Sequence, residues 1–276
     1  MTTALFLLPD GGLSGVVQGT VLTLDGDEGR HAATVRRTRS GEHIDVADGS
    51  GRTVRCEVTE AQRDRLVLRV LAVADVAPRL PRLVLVQALA KGGRDEAAVE
   101  TATELGVDGV VPWQASRSVV RWAAERGERS RLRWVATARA AAKQSRRPTV
   151  PDVGALVTTS DLARLAEATV RAGGAVLVLH EEASEPIGSV PLPSPGPASV
   201  PGPAPGPVPA PGGTPSDVVV VVGPEGGLSP EEVDVLLAAG ARAVRLGPEV
   251  LRTSSAGAAA LAVLSVRLGR WDAPVS

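Results

Sequence analysis

The chain is poor in the residues on which several chemistries depend. One cysteine, Cys56, excludes an intramolecular disulfide framework and a cysteine-based zinc site. The three histidines, His31, His43 and His180, stand far apart, so no histidine metal centre is expected. There is no tyrosine, one phenylalanine and four tryptophans, too few rings for a base-stacking platform. No run approaches the roughly 20 apolar residues of a membrane span. The first ten residues lack the basic start and apolar length of a signal peptide. A cytoplasmic protein without membrane contact is therefore expected. An excess of either charge is also missing: 30 Lys+Arg against 31 Asp+Glu leave −1, which excludes a polybasic wrapper and an acidic disordered chain.

What is present is 276 residues, 43% apolar, a length comfortable for two domains. The balanced charge is unevenly spread. Residues 117–147 carry ten basic side chains against Glu125 and Glu128, a net of +8, and residues 30–70 have nine arginines against six acids. From residue 148 onward thirteen acids face seven basic residues. A charge run is ordinarily a solvated helix face. Two separate runs, nearly all arginine, also suit a polyanion, because the guanidinium fork matches phosphate.

Residues 1–77 read as a small β-rich domain. Runs at 19–24, 43–47, 53–58 and 65–73 are separated by Asp-Gly and Ser-Gly turns, with one short helix near 31–37. From 78 to the end the rhythm is strand, then helix. Strands are predicted at 83–88, 107–112, 175–180, 218–222 and 243–246, with helices at 94–105, 121–145, 162–172, 231–239 and 255–268. That alternation means an α/β domain around a mostly parallel sheet. Twelve of the 22 prolines fall in residues 186–216, which reads as a solvated, polyproline-biased insertion.

Three loops gather at the carboxyl edge of the predicted sheet, where ligands of open α/β folds bind. The first is Gly223-Pro224-Glu225-Gly226-Gly227-Leu228-Ser229-Pro230, a glycine-rich turn leading into a helix with Ser229 as N-cap. It lacks the Gly-Lys-Ser/Thr of a phosphate loop and the G-x-G-x-x-G of a dinucleotide fold. A tight turn that needs two glycines is the plainer reading of it. The second is Leu246-Gly247-Pro248-Glu249-Val250-Leu251-Arg252-Thr253-Ser254-Ser255-Ala256, hydroxyls at the mouth of a small-residue helix. Arg252 there is either a functional cation or the partner of Glu225 or Glu249. The third is Lys91-Gly92, after the strand at 83–88. Gln144-Ser145-Arg146-Arg147, at the end of the long helix, could bind RNA or cap its own helix. No Ser/His/Asp nucleophile pattern is present, and His180-Glu181 is not H-E-x-x-H.

The two Gly-Pro loops, Lys91-Gly92 with Thr103-Glu104-Leu105-Gly106-Val107, and Gln144-x-x-Arg147, in this order, resemble the ribosomal RNA small subunit methyltransferase E family. His31-x-x-x-Val35-x-Arg37 and Asp48-Gly49 are similar to its N-terminal barrel. The resemblance implies a SPOUT-type α/β domain with a deep trefoil knot, preceded by a small PUA-like β-barrel. It also implies methylation of N3 of a uridine in 16S rRNA, S-adenosylmethionine as cofactor, and a homodimer acting on 16S rRNA or the small ribosomal subunit. Carried over by position, the cofactor site would comprise Leu179, His180, Gly223, Pro224, Glu225, Gly226, Gly227, Leu246, Gly247, Leu251, Arg252, Thr253, Ser254 and Ala256. RNA would meet His31, Arg36, Arg37, Lys91, Arg117, Gln144 and Arg147. Arg252 would stabilise charge on the base, and Glu225 would take its proton or cap the following helix. The chain departs from the pattern at Glu249, where the family often has arginine, and at Ser254-Ser255. Methylation of a ribose 2′-OH, or a non-catalytic assembly role on the same fold, are the alternatives.

Overall fold

The computed structural model describes residues 3–194 and 217–272, which divide into two compact units. Of the described residues, the first comprises 3–78 and 142–150, the second 79–141, 151–194 and 217–272.

The first unit is built on a five-stranded sheet in the order β1-β3-β4-β5-β2. Its strands are β1 (Leu5–Leu7), β2 (Val21–Leu24), β3 (His43–Ala47), β4 (Arg52–Ala61) and β5 (Leu66–Asp75). The β1–β3 pair is parallel and the others antiparallel. Alternating side chains of β3, β4 and β5 fill one core with Phe6, Leu13 and Leu24, as half-buried strands require. Two register shifts in the β4–β5 pair, at Arg55/Cys56 and Val58/Glu60, bend these long strands. The expected helix starts earlier than predicted: α1 (Gly26–Arg30) runs into a wide turn at His31–Val35. Gly29 is required there, because a Cβ would collide with the carbonyls of Leu24 and Asp64. Strand β1 was not anticipated; three residues are too few to show a period.

The second unit holds a six-stranded, wholly parallel sheet in the order β11-β9-β10-β6-β7-β8. The strands are β6 (Leu83–Ala88), β7 (Gly109–Trp113), β8 (Asp152–Val153), β9 (Ala175–Leu179), β10 (Val218–Val222) and β11 (Arg242–Val244). The two central strands, β6 and β10, are buried along their whole length, which is why they read as unbroken apolar runs. The helices are α2 (Arg94–Glu104), α3 (Ala124–Gln144), α4 (Thr159–Arg171), α5 (Pro230–Ala238) and α6 (Thr253–Arg267). Leu162, Leu165 and Ala166 of α4 and Leu236 of α5 pack on the face carrying Val84, Val86, Val219 and Val221. On the opposite face α6 lies close at Gly257, where a Cβ would sit 3.0 Å from Leu85.

The proline-rich segment departs from expectation where it is described. Ile187 and Val190 are buried, and Arg267 of α6 donates to the carbonyls of both. These first residues are docked, not solvated, because two apolar side chains among the prolines supply an anchor. The expectation for 195–216 lies outside the described residues.

Candidate active site

Local capping places the loops at the carboxyl edge. Ser229 and Glu232 form a reciprocal capping box at the start of α5, with Pro230 in the first turn, so the helix begins where the glycine-rich loop ends. At α6 the N-cap position is Arg252, whose side chain makes no cap hydrogen bond.

Between these loops lies a cavity of about 430 Å³, within the range of small-molecule sites. Leu179 and His180 at the end of β9, Gly223, Pro224, Glu225 and Gly227 after β10, and Leu246, Gly247, Leu251, Arg252, Thr253 and Ala256 after β11 all line it. Of the anticipated cofactor residues only Gly226 and Ser254 fall outside the lining. Gly226 faces the 114–122 loop instead, where a Cβ would stand 3.2 Å from the Arg117 Cβ. Ser254 sits half-buried in the first turn of α6. Glu249 of the second loop also lines the cavity, and so do Arg94, Glu181 and Arg245, which were not anticipated. For Arg94 a signal existed, since it follows Lys91-Gly92-Gly93 at the same sheet edge.

Two expected roles change. Thr253 does face the cavity, but its hydroxyl donates to the Gly223 carbonyl at 2.7 Å and accepts from Gln87 at 2.9 Å, so it ties two loops together. Glu225 neither caps α5, which Glu232 does, nor stands free to take a proton. Its carboxylate accepts from the Lys91 N–H at 3.2 Å and pairs with Arg94 at 2.9 Å. Burial raises its pKa, but hydrogen bonds from its own N–H, the Lys91 N–H and Arg94 outweigh this and hold it below the usual carboxylate range. A carboxylate so stabilised is a weak proton acceptor at neutral pH. Arg252 is exposed and has no ion pair among the described residues, so neither Glu225 nor Glu249 consumes it. His180 donates its N–H to Val244, and its Nδ1 accepts from Glu182.

The residues anticipated for RNA divide between the units. His31, Arg36, Arg37, Gln144 and Arg147 belong to the first, Lys91 and Arg117 to the second. Within the first unit the Phe6 ring meets His31 edge-on, with centroids 6.2 Å apart, and lies 5.5 Å beneath the Lys143 ammonium. That places His31 beside the end of α3. Arg36, Arg37 and Gln144 are exposed, and Arg147 is half-buried against Thr149. Among the described residues no cluster of three metal-ligating side chains occurs, and no helix is long and apolar enough to cross a membrane.

The RNA methyltransferase domain family matches residues 78–265. The chain belongs to that family. Residues 24–71 match the RNA methyltransferase PUA domain. The methyltransferase is 45% identical to the ribosomal RNA small subunit methyltransferase E of Mycobacterium bovis, over 94% of this chain and 91% of the relative. The protein of the same name from Bacillus subtilis is 28% identical over 91% of each chain. Among solved structures, a ribosomal RNA small subunit methyltransferase E from Neisseria gonorrhoeae bound to S-adenosyl methionine superposes with a TM-score of 0.77 at 25% identity, covering 96% of this chain and 98% of that one. A Legionella pneumophila methyltransferase with bound SAM gives 0.76 at 25% identity, over 97% and 98%. The cavity of this methyltransferase fits such a cofactor: apolar walls at Leu179, Val222 and Leu251 alternate with backbone polar groups of two Gly-Pro loops.

Proposed function

We propose that this methyltransferase transfers the methyl group of S-adenosylmethionine to N3 of a uridine in 16S rRNA of the small ribosomal subunit, in the cytoplasm. The observation that carries the reading is the cavity at the sheet's carboxyl edge, lined by both Gly-Pro loops and by Arg252, which has no ion pair among the described residues. The names of relatives similar over nine-tenths of the chain support the substrate. The cofactor-site residues proposed are the twelve of the resemblance that line the cavity, with Leu179, Gly223, Gly247 and Leu251 as walls.

S-adenosylmethionine supplies the electrophilic methyl group on its sulfonium. The protein's part is to position the base and to stabilise charge. Arg252 donates toward the negative charge that develops over O2, N3 and O4 as the uridine N3 proton leaves. Glu225 ties the glycine-rich loop to the Lys91 N–H and to Arg94, which leaves that proton to water. RNA lies on His31, Arg36, Arg37, Gln144 and Arg147 of the first unit, residues 1–77 serving as the RNA-binding domain. Lys91 and Arg117 serve it from residues 78–276.

A SPOUT-type trefoil knot is part of this reading. It is supported by β10 lying between β9 and β6, and by α6 returning against β6 and β10 after the 245–252 loop. A homodimer is supported by exposed Val250, Leu251 and Val266 on that loop and helix.

Calorimetric titration with S-adenosylmethionine and S-adenosylhomocysteine, followed by nucleoside analysis of treated small-subunit RNA, tests the proposal. One site per protomer and N3-methyluridine are expected. A 2′-O-methylated product would redirect it to ribose, and no cofactor binding even with subunits present would make the protein an assembly factor.

A further inference from the structure

Glu232 is 4% exposed and has no cationic partner among the described residues, an unusual state for a carboxylate. Four neutral donors compensate. Its Oε1 accepts from the Ser116 N–H at 2.8 Å and the Thr159 hydroxyl at 3.0 Å, and its Oε2 from the Ser116 hydroxyl at 2.8 Å and the Ser229 N–H at 3.1 Å. Both oxygens are thereby saturated. Burial pushes its pKa up, but the Ser116 and Ser229 N–H bonds and the two hydroxyls outweigh it, so the group stays ionised.

The donors come from three chain segments: the loop after β7, the start of α4 and the start of α5. A cap alone would need only Ser229. The extra bonds fix Ser116, and the next residue, Arg117, donates from Nη1 to the Gly226 carbonyl at 3.2 Å. The Arg117 stem packs on Gly226 closely enough that only glycine fits there without displacement. Arg117 itself is exposed. Glu231, beside it, is held below the usual carboxylate range chiefly by its own N–H and the Ser229 hydroxyl, with Arg117 a smaller contributor.

We propose that Glu232 is a positioning residue that pins the 114–122 loop onto Gly226 and so sets Arg117 as a cation for a backbone phosphate of the RNA beside the target base. This rests on the RNA-methylating reading of the same site. Gly223, Gly227 and the 246–256 segment, which line the cavity, would hold the cofactor without the pin, so the two binding events separate.

The test compares wild type, Glu232→Gln, Arg117→Met and the double variant in full-length protein. Three readouts are taken: S-adenosylmethionine affinity without RNA, KM for small-subunit RNA, and amide hydrogen exchange over 114–122. Both single variants are expected to raise the RNA KM about fivefold or more while cofactor affinity stays within about twofold. The double variant should be no worse than Arg117→Met, because Glu232 acts through Arg117. Glu232→Gln should also lose protection at the Ser116 amide. Additive effects, or parallel loss of cofactor and RNA binding, would overturn the proposal. Should Glu232→Gln not fold, Ser116→Ala removes one of the four donors, and its RNA KM should rise two- to threefold; an unchanged KM overturns the pin. If wild type methylates no RNA, the functional reading falls. The exchange data then decide alone, unchanged Ser116 protection in Glu232→Gln overturning the pin.

Discussion

The Thr253 hydroxyl donates to the Gly223 carbonyl while accepting from the buried Gln87 amide, so the two loops that flank the cavity are joined at their roots. Each proton in this relay has a defined direction, since the Gln87 Nε2 can only donate and the Gly223 oxygen can only accept. Thr253→Val keeps the shape and deletes the relay, leaving a buried donor and acceptor unmet at a cost of about 1–3 kcal/mol. We expect a matching loss in urea unfolding and a roughly tenfold weaker S-adenosylmethionine affinity, about 1.4 kcal/mol, by calorimetry. Thr253→Ser should restore both. Stability loss without any change in affinity would mean that the relay holds the fold and not the site.

Arg252 is separable from the fold for a local reason: at the N-cap its side chain makes no capping bond. Arg252→Ala therefore removes a guanidinium and little else. If that guanidinium meets charge that exists only in the transition state, single-turnover methylation should slow by about 10²-fold, with cofactor affinity within about threefold. Equal losses in both would make Arg252 a wall of the cofactor site.

The legible parts of this protein are those whose physics is local. Strands β6 and β10 could be bounded from sequence because burial on both faces writes an apolar run, and α5 because Ser229, Pro230 and Glu232 announce its start. Strands β1 and β8 have three and two residues, and only their partners make them strands. The two Gly-Pro loops were readable as a candidate site because they and the Lys91-Gly92 loop fall at one sheet edge. The role of Glu225 was not, since Arg94 is 131 positions away in the chain and the ion pair exists only in the fold. Glu232 stands at the capping-box spacing from Ser229, but its bonds to Ser116 and Thr159 depend on which strand follows which. Ile187 and Val190 were hidden by the prolines around them.

Cys56 sits in the core of the first unit with no exposed surface. Burial, and to a lesser degree the charge of Asp45, push its thiol up to about 12. At pH 8 the thiolate fraction is then about 10⁻⁴, and the sulfur is sterically closed as well. Disulfide-exchange reagents should leave native protein unmodified and label one thiol per chain on denaturation. The labelling rate should track opening of the first unit, which makes Cys56 an internal probe of that unit's stability. Rapid labelling of native protein would show that the β-sheet core opens readily.

The basic run at 117–147 overstates the charge available to a polyanion. Lys143 is paired with Glu28 at 2.8 Å, and Arg131 is held by Glu128 at 2.7 Å, so both enter RNA binding already part-neutralised. Arg37 is exposed without an ion pair among the described residues, and Arg147 is half-buried with a bond to the Thr149 hydroxyl among its contacts. These two are the proposed phosphate contacts of the first unit. Replacing both with alanine should reduce the slope of log K against log salt by about 1.5, since each contact contributes roughly 0.7–0.9. Cofactor affinity should not move. Arg171, exposed and paired with Glu167 in the second unit, is the control, and Arg171→Ala should leave the slope as it is. A slope unchanged in the Arg37→Ala, Arg147→Ala protein would mean that RNA does not lie on this face, because a lost phosphate contact must return its counterion whatever the sequence bound.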